Sequence, residues 1–161
     1  MPILNVQLGG EARSTDGRKI PIPPQAALTL RGPVVQVSVS VGQAIAQQIL
    51  QQGGTLPPPV SGLALIDTGA TSTCVDDGAA QQLQLPAIDV VKIASASHSE
   101  TEQNVYPISI EVVGLPIAIN APRAIGAPLK TQGLLVLIGR DLLQQCVLVY
   151  NGVSGNFSLS I

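Results

Sequence analysis

One short run in this 161-residue chain combines residue types suited to chemistry. Leu65-Ile66-Asp67-Thr68-Gly69-Ala70 places a carboxylate directly after an apolar stretch, with a glycine two residues on. Bringing a carboxylate out of a buried strand costs on the order of several kcal/mol unless the group is hydrogen-bonded or shares a proton. The glycine permits a tight turn that aims backbone N–H groups back at the acid. The threonine hydroxyl can bond a backbone group across an interface. Such a run holds an acid in place for proton transfer. Other chemistries find less support. No GxxxxGK loop and no GxSxG elbow occur. Cys74 and His98, the sole histidine, could form a nucleophile and base, although a packed thiol and a loop histidine are the plainer roles. Cys74 and Cys146 allow one disulfide by arithmetic and cannot make a zinc site alone. Nothing in them demands an oxidising compartment.

Asp67-Thr68-Gly69-Ala70 resembles the active-site signature of aspartic proteases, and its context is similar to the retropepsin branch, in its bacterial and cellular members. Chance alone would put Asp-Thr-Gly in about three of a hundred chains of this composition, so further matches matter. Leu63, Leu65 and Ile66 precede the acid as a catalytic strand requires. A hairpin is expected over 88–113, where the family has its flap. Leu137-Ile138-Gly139-Arg140-Asp141-Leu142-Leu143 is similar to the segment that packs behind the catalytic turn and starts a short helix. The resemblance covers about residues 31–161 and implies an all-β fold. That fold is a retropepsin-like closed β-barrel, half an acid protease, with one or two short helices and a flap hairpin.

The same resemblance implies the roles. Asp67 is catalytic. Thr68, Gly69 and Ala70, with Ile138, Gly139, Arg140 and Asp141, support the turn. Thr71 and Ser72, with flap residues Ala94, Ser95, Ala96, Ser97, His98 and Ser99, contact substrate. No metal or cofactor is required. Two departures stand out. Thr71 and Ser72 occupy positions where the family often has an acid that pairs with the arginine, so the partner of Arg140 is open. The flap tip carries Ser and Ala in place of a glycine-rich run.

Aspartic protease chemistry takes two carboxylates sharing a proton, one activating water and the other polarising the scissile carbonyl. This chain has one Asp-Thr-Gly and no room for two lobes, so a working site needs a homodimer with Asp67 from each copy. The resulting expectation is an aspartic endopeptidase acting on peptide or protein substrates. The alternative is a catalytically silent module of the same fold that binds peptides or self-associates.

The elements that must position these residues are mostly strands. Glycine (16) and proline (13) are spread along the chain, which favours short strands and turns over a helical bundle. Residues 1–30 are expected as an amino-terminal arm or flexible extension, and 31–161 as the protease domain. Strands are expected at 3–8, at 27–41 with Val35, Val37, Val39 and Val41 on one face, and at 62–67. Helices are expected over 43–52 and 77–84, the latter capped by Asp76 or Asp77. The hairpin 88–113 has arms 88–93 and 105–113 around a solvated tip. Residues 9–20 and 115–130 read as loops, 133–138 as a second apolar run, and the end of the chain as a hairpin. Its last strand, with Phe157, Leu159 and Ile161, is either a dimer strand or the closing strand of the barrel.

Composition limits the partners. Ten acids against eight bases leave no basic excess for phosphate backbones, so nucleic acid is not expected. With 45% apolar and 11% charged residues the chain can build a core. Tyr106, Tyr150 and Phe157 are its only aromatics, so core and subsites are aliphatic and cleavage between apolar residues is expected. Charges interrupt the first twenty residues and no apolar run reaches the ~18 residues of a membrane span. The expectation is therefore a cytoplasmic protein with no membrane partner.

Overall fold

Proline and glycine decide how the first third of the chain folds. A computed structural model describes the backbone of residues 1–95 and 98–161, and the side chains of residues 1–93 and 101–161. Strand β1 (Ile3–Gln7) is followed by β2 (Gly10–Arg13) and β3 (Lys19–Ile22). The loop expected over 9–20 is instead a hairpin of β2 and β3. Gly17 turns it at φ 85°, a conformation open to glycine, and Lys19 pairs with Glu11 across it at 2.9 Å. Helix α1 (Pro24–Arg31) then occupies part of the segment expected as strand from residue 27. Pro24 sits at the start of the helix, where its fixed φ is favourable and its missing N–H is not needed. Gly32, at φ 70°, ends it. Within residues 1–30, β1 pairs with a distant strand and Ala27 and Leu28 are buried, while β2 and β3 pair with each other.

Strand β4 (Val34–Val41) keeps the expected alternation, with its odd-numbered valines buried. Helix α2 (Gln43–Gln51) lays Ile45, Ala46 and Ile49 on the core. After the proline run come β5 (Val60–Ile66), β6 (Cys74–Asp76) and α3 (Asp77–Gln82). Asp76 caps α3 by accepting from the Ala79 N–H at 3.2 Å. Strands β7 (Asp89–Ser95) and β8 (His98–Val112) form the long hairpin. Their pairing continues through the stretch expected as its tip, with Lys92 opposite Glu102 and Ser95 opposite His98. The polar residues there do not end the strands, because hairpin pairing leaves both faces free to be wet. The expectations for Ala96 and Ser97 lie outside the described residues.

The segment 115–130 is not a surface connection. Most of it is β9 (Ala118–Ala127), which buries Ala121 and Ala124. Its register against β8 shifts between Tyr106 and Ile108, where Pro107 stands, and Pro122 falls opposite the same break. Prolines at a bulge give up no ladder bond, so they mislead a reading based on proline count. Strand β10 (Val136–Ile138), helix α4 (Arg140–Leu143), β11 (Val147–Asn151) and β12 (Asn156–Ser160) complete the chain.

Strands β4, β5, β10, β6, β9 and β8 pair in that order, and β8 returns to β4, closing a six-stranded β-barrel. Strand β7 hangs on the outside of β8. Closure leaves the ring without an edge of its own. The interior is aliphatic, as the composition requires: Val37, Val39, Ala64, Val75, Ile108, Ile110 and Val136 are each at most 1% exposed. Strand β12 lies between β1 and β11 in a separate three-stranded sheet, so it does not close the barrel and has no free edge. Phe157 and Leu159 pack from it into the core. Among the described residues no helix is long and apolar enough to cross a membrane.

Candidate active site

Strand β5 delivers Asp67. Ala64 and Ile66 point into the barrel, so alternation puts Leu63, Leu65 and Asp67 on the other face. The parallel register of β10 ends beside it, Ile138 opposite Ile66, and the Asp67 N–H donates to the Ile138 carbonyl at 2.9 Å. The chain then turns. The Gly69 N–H donates to Asp67 Oδ1 at 2.8 Å, and the Ala70 N–H to the Asp67 carbonyl at 3.3 Å. The acid is therefore oriented by its own turn, and Thr68, Gly69 and Thr71 stand exposed around it.

The second segment braces this turn from behind. A Cβ at Gly139 would lie 2.5 Å from the Ser72 carbonyl carbon and 2.9 Å from the Thr73 nitrogen, so only glycine fits there. The Arg140 N–H donates to the Ala70 carbonyl at 3.0 Å, and the Asp141 N–H to that of Thr71 at 3.2 Å. The Arg140 guanidinium donates to the Thr68 carbonyl at 2.7 Å and to Thr71 Oγ1 at 3.0 Å. Its partner is thus the threonine that stands in place of an acid. The Asp141 carboxylate accepts from the Thr73 N–H (3.0 Å), the Thr73 hydroxyl (2.8 Å) and the Leu142 N–H (3.0 Å). The Thr73 hydroxyl in turn accepts from the Gly139 N–H at 3.1 Å.

Thr73 was not among the residues singled out from the sequence. It is fully buried and links the two segments. Its signal is alternation: Thr73, just before β6, falls on the same side as the buried Val75, and a hydroxyl aimed at a core demands a partner. Asp67 to Ser72 and Ile138 to Asp141 are thus brought together. Among the described residues no hydrogen bond ties the β7–β8 hairpin to the turn, and the side chains of Ala94, Ser95, His98 and Ser99 lie outside them. Cys74 donates weakly to the Ser72 carbonyl at 3.8 Å. Burial pushes its thiol up, with Asp141 and Asp67 adding to the effect, so it is held neutral, the wrong state for a nucleophile. Both cysteines are free thiols.

Along the Asp67 face of β5, Leu63 and Leu65 line an apolar groove of about 810 Å³, completed by Leu4, Val6, Leu8 and Val34. Asp76 has a structural task, since its second oxygen accepts from the Lys130 N–H at 2.8 Å. Among the described residues no group of three or more His, Cys, Asp or Glu could hold a metal ion.

Fold and site together define a closed β-barrel that presents one carboxylate on a braced Asp-Thr-Gly turn. No family model matches the chain, and no curated protein does. Among solved structures it is similar to a retropepsin-like aspartic protease from Rickettsia conorii, at 13% identity over 98% of this chain and 92% of that one, with a TM-score of 0.44. The EIAV protease in complex with an inhibitor gives 18% identity over 70% of this chain and 86% of that one, with a TM-score of 0.40. The foamy viral protease–reverse transcriptase gives 18% identity over 70% of this chain and a TM-score of 0.44, and the match spans 12% of that protein's length.

Proposed function

We propose that the chain is a retropepsin-like aspartic endopeptidase that works as a homodimer. The observation that carries this reading is the Asp67 turn: a half-buried carboxylate with one oxygen held by the Gly69 N–H and the other without a hydrogen bond among the described residues, on a turn braced by Gly139 and Arg140. The chain holds one such turn. Two copies about a two-fold axis bring two Asp67 carboxylates together. Both cannot ionise at a few Å separation, so the pair shares a proton. One carboxylate takes a proton from water as the water attacks the peptide carbonyl. The other donates its proton to the carbonyl oxygen, and the leaving nitrogen is protonated as the intermediate collapses.

The exposed Thr68 hydroxyl has no hydrogen bond within its own chain among the described residues, which suits a bond to the partner's turn. The β7–β8 hairpin acts as the flap, with residues 94–99 closing over an extended peptide and Thr71 and Ser72 flanking it. The apolar groove beside Leu65 receives aliphatic side chains.

The test is cleavage of a peptide library by wild type and by Asp67→Asn across protein concentrations. Activity is expected to rise with the square of concentration when dilute and to vanish in the variant. Equal cleavage by both proteins overturns the reading. Peptide binding without cleavage assigns the chain instead to a silent module of the same fold.

A further inference from the structure

We propose that Arg140 makes the cleft prefer an acidic residue in the bound peptide, at the position that passes Thr71. This rests on the peptide-binding reading of the Asp67 turn and adds a charge selection to it. The guanidinium is anchored by two bonds, to the Thr68 carbonyl and to Thr71 Oγ1, and both acceptors are neutral. Among the described residues the ion pairs are Arg18–Asp16, Lys19–Glu11 and Arg123–Asp89, and Arg140 takes part in none. The nearest acid in sequence, Asp141, spends its carboxylate on Thr73 and the Leu142 N–H. The Asp67 carboxylate is turned to the Gly69 N–H.

The guanidinium therefore sets a positive charge, with no acid paired to it among the described residues, beside the exposed part of the turn. It is also pre-positioned, so a carboxylate that reaches it need not order a long flexible side chain. A peptide strand running past Thr71 and Ser72 meets two neutral hydroxyl-bearing residues and, behind the first, this cation. Glutamate or aspartate at that position is favoured over its amide. For a partly solvated pair the gain is about 2- to 5-fold in affinity, and salt weakens it.

The experiment measures binding, so that it does not depend on turnover. Fluorescein-labelled decapeptides carry a central pair of aliphatic residues, flanks of Ala and Ser, and either Glu or Gln at each flanking position in turn. They are titrated against Asp67→Asn protein, which leaves them uncut, at low and at physiological salt. At one or two positions Glu is expected to bind about 2- to 5-fold more tightly than Gln, with the gap narrowing as salt rises. Adding Thr71→Asp supplies a carboxylate where the guanidinium already bonds, and the preference should vanish. Arg140→Gln, which keeps an N–H donor, should abolish it as well. Equal binding of Glu and Gln peptides at every position overturns the proposal, as does a preference that survives both substitutions. Peptides that bind with the expected preference but are not cut by wild type refute the catalytic reading alone. A protein that binds none of them refutes both.

Discussion

Replacing Thr73 by valine should weaken the protein more than replacing it by serine, the reverse of what burial of apolar surface predicts. The Thr73 hydroxyl donates to Asp141 Oδ1 at 2.8 Å and accepts from the Gly139 N–H at 3.1 Å, and the residue is fully buried. Valine fills the same space, so no cavity forms. It leaves the Gly139 N–H without a partner and removes one charge-assisted bond from Asp141, which keeps the Thr73 and Leu142 N–H groups. Together these losses come to about 2–4 kcal/mol. Serine keeps both bonds and loses one methyl group, about 1 kcal/mol. In a chain of this size each kcal/mol moves Tm by about 2–4 °C, so valine should lower it by about 5–15 °C and serine by a few degrees. Urea unfolding and thermal melts at one fixed protein concentration measure both, with fixed concentration needed because a dimer's stability depends on it. A Thr73→Val protein as stable as Thr73→Ser refutes the bridging role.

Further outcomes follow from the same geometry. Gly139→Ala drives a methyl group into the Ser72 and Thr73 backbone, so it should displace the turn and lower cleavage by at least about 100-fold, read as kcat/KM. Asp67→Asn keeps an oxygen for the Gly69 N–H, so its Tm should stay within about 3 °C of wild type while cleavage disappears. Burial raises the thiols of Cys74 and Cys146 above the 9.0 of a free thiol, so the folded state retains protons that the unfolded chain releases. That stabilisation is complete below pH 9 and is lost as pH climbs through the raised values, so the wild-type urea midpoint should fall faster above pH 9 than that of the Cys74→Ser/Cys146→Ser double variant. The same burial predicts that iodoacetamide at pH 8 modifies the folded thiols more slowly than those of the urea-unfolded chain.

What could be read from residues alone was whatever depends on near neighbours in sequence. The valine alternation of β4, the α2 face with Ile45 and Ile49, and the Asp76 cap of α3 are local patterns, and the structure has them. The Asp67 turn and the Gly139–Asp141 brace were visible as motifs, and their meeting follows from the parallel pairing of β5 with β10. Less visible was anything set by distant pairing. Prolines hid β9, because the bulge that accommodates them exists only once β8 lies alongside. Pro24 began a helix in a stretch whose apolar spacing suited a strand equally well. Thr73 looked like one of several hydroxyl residues after the motif, and its importance depends on a carboxylate 68 positions away in the chain. The place of β12 between β1 and β11 was likewise out of reach, since β1 is almost the whole sequence distant.

That last pairing has a consequence for how the molecule comes to exist in a cell. Ile3 of β1 lies opposite Ser160 of β12, so a ribosome has made nearly all of this sequence before β1 can find its neighbour. Translation at about 5–20 residues per second leaves that early strand waiting for roughly eight to thirty seconds with Leu4 and Val6 uncovered. Until then the apolar groove along Leu63 and Leu65 lacks the wall that Leu4 and Val6 supply.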